Sequence, residues 1–228
     1  MTEQSVAVSA RGIAVRRSPG MAYGPLDLEV EAGGVTVLVG PAGEGRTALL
    51  LTLAGRMSPS EGTLTVFGRG RTRDIFADVA VAGIDELDSP PDGVTVGDLV
   101  TERIRWDAPW YRLVRKAGSS ELDRVCAPVF GPRTPPSATD VVGELGELDG
   151  LLLRIALADS SAPRVLVVGD LDRLGSAYDR DVLLDRLVAL GEQRTVITAS
   201  SDAVDPSSGI VAQISVVPSG RHEQKDVG

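Results

Sequence analysis

The segment Val35-Thr36-Val37-Leu38-Val39-Gly40-Pro41-Ala42-Gly43-Glu44-Gly45-Arg46-Thr47-Ala48-Leu49-Leu50 constrains this chain more than any other. An apolar, β-rich run enters glycines at 40, 43 and 45, followed by a basic residue, a hydroxyl and an apolar helical run. Glycines at such a strand-to-helix turn let backbone N–H groups point inward around phosphate oxygens. The helix N-terminus then adds partial positive charge. The pattern G-x-x-x-x-G-[KR]-[ST] is complete here with Arg46 where lysine is usual. The predicted cradle is Gly40, Pro41, Ala42, Gly43, Glu44, Gly45, Arg46, Thr47 and Ala48, with the Thr47 hydroxyl available to Mg²⁺. A turn that binds nothing is the plain alternative. Of 23 basic residues only Lys116 and Lys225 are lysines, so Arg46 also follows a habit of the whole chain.

With 228 residues and 43% hydrophobic content, the chain suffices for one domain with a substantial core, spanning residues 1–228. A formal charge of −9 argues against broad attraction to nucleic acid or anionic lipid, though it leaves room for a local basic pocket. The single cysteine, Cys126, has no internal disulfide partner and reads as a small buried apolar residue. No apolar run reaches the roughly 18–20 residues that span a bilayer, and the N-terminus lacks a signal-peptide pattern. The expectation is a cytoplasmic domain that reaches the membrane by binding a membrane protein.

Short β-like runs occur at residues 12–15, 26–30, 35–39 and 63–67, with turn signals such as Ala32-Gly33-Gly34 between them. Helical periodicity starts at Arg46 and ends near Arg56. Residues 79–83 read as a buried strand and 85–93 as a loop. The stretch from 95 to about 130 is helical in character, in three segments led by Val96, Trp110 and Leu122. Residues 131–138 form a linker. Periodicity returns at Leu148 and breaks before Pro163; strand 165–168, helix 178–190, strand 195–199 and a β-like run 211–217 complete the order. Trp106, Trp110 and Tyr111 sit at spacings that suit partial burial. The resulting fold class is α/β. It comprises a P-loop NTPase core with a mixed or parallel sheet, an N-terminal antiparallel β subdomain, and an inserted α-helical subdomain at about 95–160.

The order of parts resembles the ATP-binding cassette of ABC transporters across nearly the whole chain. The resemblance is carried by the phosphate loop and by Met57-Ser58-Pro59-Ser60-Glu61-Gly62, which is similar to a family turn. Arg154-Ile155-Ala156-Leu157-Ala158 before Pro163-Arg164 and its apolar strand, and the tail Ile214-Ser215-Val216-Val217-Pro218-Ser219-Gly220-Arg221, add to it. It implies ATP and Mg²⁺ as cofactors, a membrane permease as partner, and a homo- or heterodimer with another cassette. It also implies a location at the inner face of the cell membrane. In the family the helical subdomain receives cytoplasmic helices of the permease, which makes Trp106, Trp110 and Tyr111 candidates for a docking surface.

The same resemblance marks departures. The adenine-stacking ring is missing from Val15-Arg16-Arg17-Ser18, where a solvated arginine pair is expected. Asp85 or Glu86 stands where a glutamine is usual, and Glu147-Leu148-Asp149-Gly150-Leu151 aligns with L-S-G-G-Q. After Val165-Leu166-Val167-Val168, direct counting puts Gly169 at the metal-linked aspartate and Asp170 at the water-activating glutamate. A slip of one makes Asp170 metal-linked and Leu171 the missing glutamate. Ser201 aligns with the switch histidine, and His222 lies in the tail. The implied catalytic candidates are Asp170, Ser201 and Glu86; the implied metal ligands are Thr47 and Asp170. Binding with poor hydrolysis is the expected outcome, with a non-catalytic scaffold as the alternative.

Overall fold

The computed structural model describes residues 5–17, 20–91, 93–111 and 113–216. The chain opens with β1 (Val6–Arg17) and β2 (Gly20–Glu31), followed by β3 (Gly34–Val39), α1 (Glu44–Leu53) and β4 (Glu61–Val66). Next come α2 (Thr72–Asp78), β5 (Val79–Ala82), α3 (Asp85–Asp88), α4 (Val96–Asp107) and α5 (Ser119–Phe130). The final part is α6 (Glu147–Asp159), β6 (Val165–Asp170), α7 (Ala177–Gly191), β7 (Thr195–Ser200) and β8 (Ala212–Ser215).

Two sheets form. One is antiparallel in the order β2-β1-β4; the other is parallel in the order β5-β6-β7-β3-β8. The parallel strands have both faces covered, which is why their sequences are nearly continuous apolar runs. β6 shows the division clearly. Leu166 and Val168 join a core with α5, α6 and α7, whereas Val165 and Val167 join a core with α1 and the antiparallel sheet. All four are fully buried, each contributing roughly 1.5–3 kcal/mol by leaving water. The helices between β5 and β6 make the expected helical insert.

Several expectations change. β1 and β2 extend well beyond residues 12–15 and 26–30, because their pairing passes through register shifts that break the simple alternation. α1 stops at Leu53, earlier than Arg56, where Gly55 takes φ 67. The predicted loop after β5 contains the four-residue helix α3, and α2 was not foreseen. No helix forms among the described residues of 110–114. Pro109 lacks an N–H and disfavours helical geometry at Ala108, which is extended at φ −79, ψ 143 and ends α4. The partial burial expected for Trp106, Trp110 and Tyr111 is overturned with it: they are 78%, 95% and 75% exposed. Cys126 is buried within α5 as expected, and burial pushes its thiol up to about 12.

Candidate functional site

The predicted strand–turn–helix is present. β3 lies between β7 and β8, and the Gly40 N–H donates to the Ser200 carbonyl at 3.1 Å. The chain then turns through residues exposed to solvent and starts α1 after Gly43, whose φ of 136 only glycine adopts readily. Gly45 is needed for a different reason: a Cβ there would sit 2.3 Å from the Ala22 carbonyl oxygen. The absence of that Cβ lets the first turn of α1 rest against β2. Beside the turn is a cavity of about 230 Å³, lined by residues 41–46 and by Ala22, Tyr23 and Leu26.

The Arg46 side chain is engaged at the C-terminal ends of the parallel strands and is 2% exposed. One terminal nitrogen donates to the Gly40 carbonyl at 2.8 Å and to Ser201 Oγ at 3.2 Å. The other donates to Asp170 Oδ2 and to Asp172 Oδ2, both at 2.8 Å. Asp172 also accepts from the Ser201 N–H and Oγ, each at 2.7 Å. A single planar fork thus ties α1 to the strand ends of β6 and β7. An ammonium point charge has no such fork.

The two carboxylates differ. Burial raises the Asp170 carboxyl; Arg46 opposes that shift, and the Asp172 charge reinforces it. Burial also acts to raise Asp172, but the bonds from Ser201 and Arg46 together outweigh it and leave its carboxyl lowered. Asp170 Oδ1 is buried without a hydrogen-bond partner. Asp172 was not foreseen as a site residue. The only sequence signal for it is the Asp-x-Asp spacing, whose meaning depends on where β7 ends.

The end of β6 carries a bulge. Val167 pairs with Ile197, but Asp170 pairs with Ala199, so three steps on β6 match two on β7. One residue is inserted, and Asp170 takes the ladder position that residue 169 would hold in a regular strand. Glycine is required beside the bulge, since a Cβ on Gly169 would lie 2.0 Å from the Gly83 carbonyl oxygen. Asp170 meets Arg46, while Leu171 turns into the core at 3% exposure.

The remaining predicted positions lie elsewhere. Arg154 binds Asp88 at 2.9 Å and Asp85 at 2.9 Å, and Arg173 donates to both oxygens of Asp85 at 2.7 and 2.6 Å. Burial acts to raise the Asp85 carboxyl, but the two arginines outweigh it and leave it lowered. Asp88 accepts the N–H groups of Gly83 and Ile84 at 2.7 and 2.9 Å, winding this stretch into α3. Glu86 is exposed on that helix and is not among the groups bonded to Arg46. In the L-S-G-G-Q counterpart, Leu148 is buried and Asp149 accepts from Arg133 at 2.6 Å, while the space beside Gly150 is open. Arg16 is solvated as expected and donates to Glu61 at 2.8 Å. The Arg17 side chain, Ser18, residues 217–221 and His222 lie outside the described residues.

A family model described as ABC transporter matches residues 23–99, which spans the phosphate loop and α3. The chain is 27% identical over 199 residues to the ribose import ATP-binding protein RbsA of Chelativorans sp. (strain BNC1), covering 86% of this chain and 38% of that protein. In sequence and in order of parts the chain is similar to ABC nucleotide-binding domains. A shorter stretch of 68 residues is 38% identical to the sulfate/thiosulfate import ATP-binding protein CysA of Mycolicibacterium paratuberculosis (strain ATCC BAA-968 / K-10), covering 30% of this chain and 19% of that one. The chain spans less than half the length of these relatives. The solved structure of cbiO1 from Clostridium perfringens, part of the transporter complex cbiONQ, superposes with a TM-score of 0.69 at 16% identity, covering 87% of this chain and 80% of that one. An ABC transporter ATP-binding protein from Pyrococcus furiosus gives 0.70 at 16% identity, covering 92% and 96%. Both likenesses concern the fold.

ABC domains bind ATP with Mg²⁺, and the residues of this domain can be tested for both. The glycine turn and its adjoining cavity fit a phosphate chain. For the metal, the unpartnered Asp170 Oδ1 and the half-buried Thr47 supply the oxygen donors that a hard divalent cation takes. No cluster of three or more histidine, cysteine or carboxylate groups suited to a metal occurs among the described residues. Any Mg²⁺ here would thus complete its shell with water and phosphate.

Proposed function

We propose that this domain is the nucleotide-binding subunit of a transporter, holding ATP at residues 40–48 with weak or absent hydrolysis and coupling to a membrane permease. The observation that carries this reading is the Arg46 guanidinium bound to Asp170, Asp172, Ser201 and the Gly40 carbonyl. The cation nearest the phosphate cradle is already neutralised by its own chain. To reach a phosphate, Arg46 must leave two carboxylates, and separating a buried pair costs about 3–5 kcal/mol when nothing replaces the lost partner. Backbone N–H groups of the turn are untouched by that cost, so they supply most of the binding.

Thr47 and Asp170 would hold Mg²⁺, which supplies charge neutralisation between phosphate oxygens when it is bound. The hydrolytic groups are weaker. Leu171 fills the glutamate position and is buried, so no carboxylate there accepts a proton from water. Ser201 spends its hydroxyl on Asp172, and Asp85 is held by two arginines. Loss of a general base or water-positioning group costs about 10²–10⁴-fold in rate. Dimerisation with a second cassette that carries complete motifs would let such a domain serve within a working pair. No helix among the described residues is long and apolar enough to cross a membrane. Attachment to the inner membrane face would then come through the permease.

Thermal unfolding with and without ATP, in Mg²⁺ and in a chelator, tests binding. Occupancy of about 100 times Kd raises native-state stability by roughly 2.7 kcal/mol. No shift at millimolar ATP would overturn nucleotide binding and favour the scaffold reading, which the bonds of Arg46 to its own chain also support. An ATPase rate typical of complete cassettes would overturn the claim of poor hydrolysis.

A further inference from the structure

The helical insert presents a surface that the nucleotide site does not use. From 103 to 116 the sequence carries Arg103, Arg105, Arg112, Arg115 and Lys116 against one acid, Asp107, a local net charge of +4 in a chain of −9. The same stretch contains both tryptophans of the chain, Trp106 and Trp110. Because Pro109 ends α4, the chain from there to α5 is an irregular loop. Trp106, Trp110, Tyr111 and Leu113 stand 78%, 95%, 75% and 92% exposed. The Trp110 and Tyr111 rings meet edge to face with centroids 5.9 Å apart, so they form one projecting unit.

Beside this unit runs a groove of about 510 Å³, with the loop on one side and α5 on the other. Arg103, Arg115, Lys116 and Arg124 line it, over apolar patches that include Ile104 and Val114. Its one acid, Glu121, is engaged locally with the Gly118 N–H and Ser120 Oγ, both at 3.0 Å. Lys116 pairs with Asp98 at 2.9 Å on an open surface, which leaves most of its side chain in water.

We propose that this aromatic and basic surface binds the headgroup layer of an anionic lipid bilayer. Tryptophan and tyrosine combine an apolar ring with a polar edge and favour the membrane–water boundary. Each lysine or arginine brought near an anionic leaflet strengthens binding roughly fivefold. A protein partner would have to offer a fitted pocket to each projecting side chain; a headgroup layer deforms around them. The negative charge elsewhere is screened beyond about 8–10 Å at ordinary ionic strength, so the local cations set the sign at contact. The surrounding acidity confines that contact to this one surface. The nucleotide reading plays no part in this inference.

The test uses the purified chain without nucleotide. Vesicles of phosphatidylcholine alone are compared with vesicles containing about one-third phosphatidylserine, at about 0.1 M salt. Both tryptophans lie in the surface, so emission excited selectively from tryptophan reports on it. Serine-lipid vesicles should pellet the protein, shift the emission to the blue and, when brominated, quench it, with partitioning at least roughly tenfold above phosphatidylcholine alone. Removing a cation, as in Arg115→Ala or Lys116→Ala, should weaken partitioning by roughly fivefold. Trp110→Ala with Leu113→Ala should weaken it while the unfolding midpoint stays unchanged, which separates lost contact from lost fold. Equal partitioning to the two vesicle types, or none to either, overturns the proposal; the second outcome would leave the surface to a protein such as a permease.

Discussion

The phosphate loop and the helical insert treat their exceptional side chains in opposite ways. At the loop, a guanidinium that could face an incoming anion is 2% exposed and satisfied by carboxylates of its own chain. In the insert, tryptophans that could be packed inward face water. The first region keeps the shape of a binding site while consuming its charge internally. The second leaves its aromatic rings in water where α4 ends. Backbone geometry and side-chain availability are separable properties, and a fold likeness reports only on the first.

The comparison breaks most sharply at Arg46. Arg46→Ala leaves Asp170 and Asp172 without their shared cation and should lower stability by about 3–5 kcal/mol in chemical denaturation. Trp110→Ala should stay within about 0.5 kcal/mol, as for other exposed positions. Comparable losses at the two sites would mean that the insert is packed after all. Arg46→Lys keeps the charge and loses the fork, so part of the stability should return without the ties to both Asp172 and Gly40.

A pH series sharpens the contrast between the carboxylates. Asp172 has a lowered carboxyl in the folded state, so its stabilisation is present above the ordinary aspartate value and disappears as pH falls through the folded one. Asp172→Asn should cost about 1–3 kcal/mol near neutrality and flatten the acid limb of the stability curve. Asp170 is raised by burial, so its contribution runs the other way, present below the ordinary value and lost as pH climbs through the raised one. Asp170→Asn should therefore cost less at neutral pH than Asp172→Asn. Equal costs would show that the two carboxylates share one environment.

At the entry to the insert, Thr95 accepts from the Asp98 N–H at 3.2 Å and Asp98 accepts from the Thr95 N–H at 3.4 Å. Thr95→Ala should cost about 1 kcal/mol by loss of this cap. The smallest effect is expected at Cys126. Its thiol, raised to about 12 by burial, should resist alkylation in the folded protein and react only on unfolding.

Much of the architecture was legible because the parallel strands are buried on both faces. Val165-Leu166-Val167-Val168 admits few other readings, and the glycines of the loop carry their geometry with them. Three features were hidden for physical reasons. The side of a helical turn that Arg46 would choose depends on carboxylates more than a hundred residues away. Asp172 acquires meaning only when β7 delivers Ser200 and Ser201 beside it. Trp106 and Trp110 have a spacing compatible with burial; Trp106 stands exposed on the last turn of α4, and the proline break after that helix turns Trp110 outward.

The extra residue at the end of β6 works as a frame shift in space. Aligned column by column with a regular strand, Asp170 inherits its neighbour's address, and the group that faces the loop is misassigned. A protein can thus change which functional group confronts a ligand while leaving every side chain chemically intact.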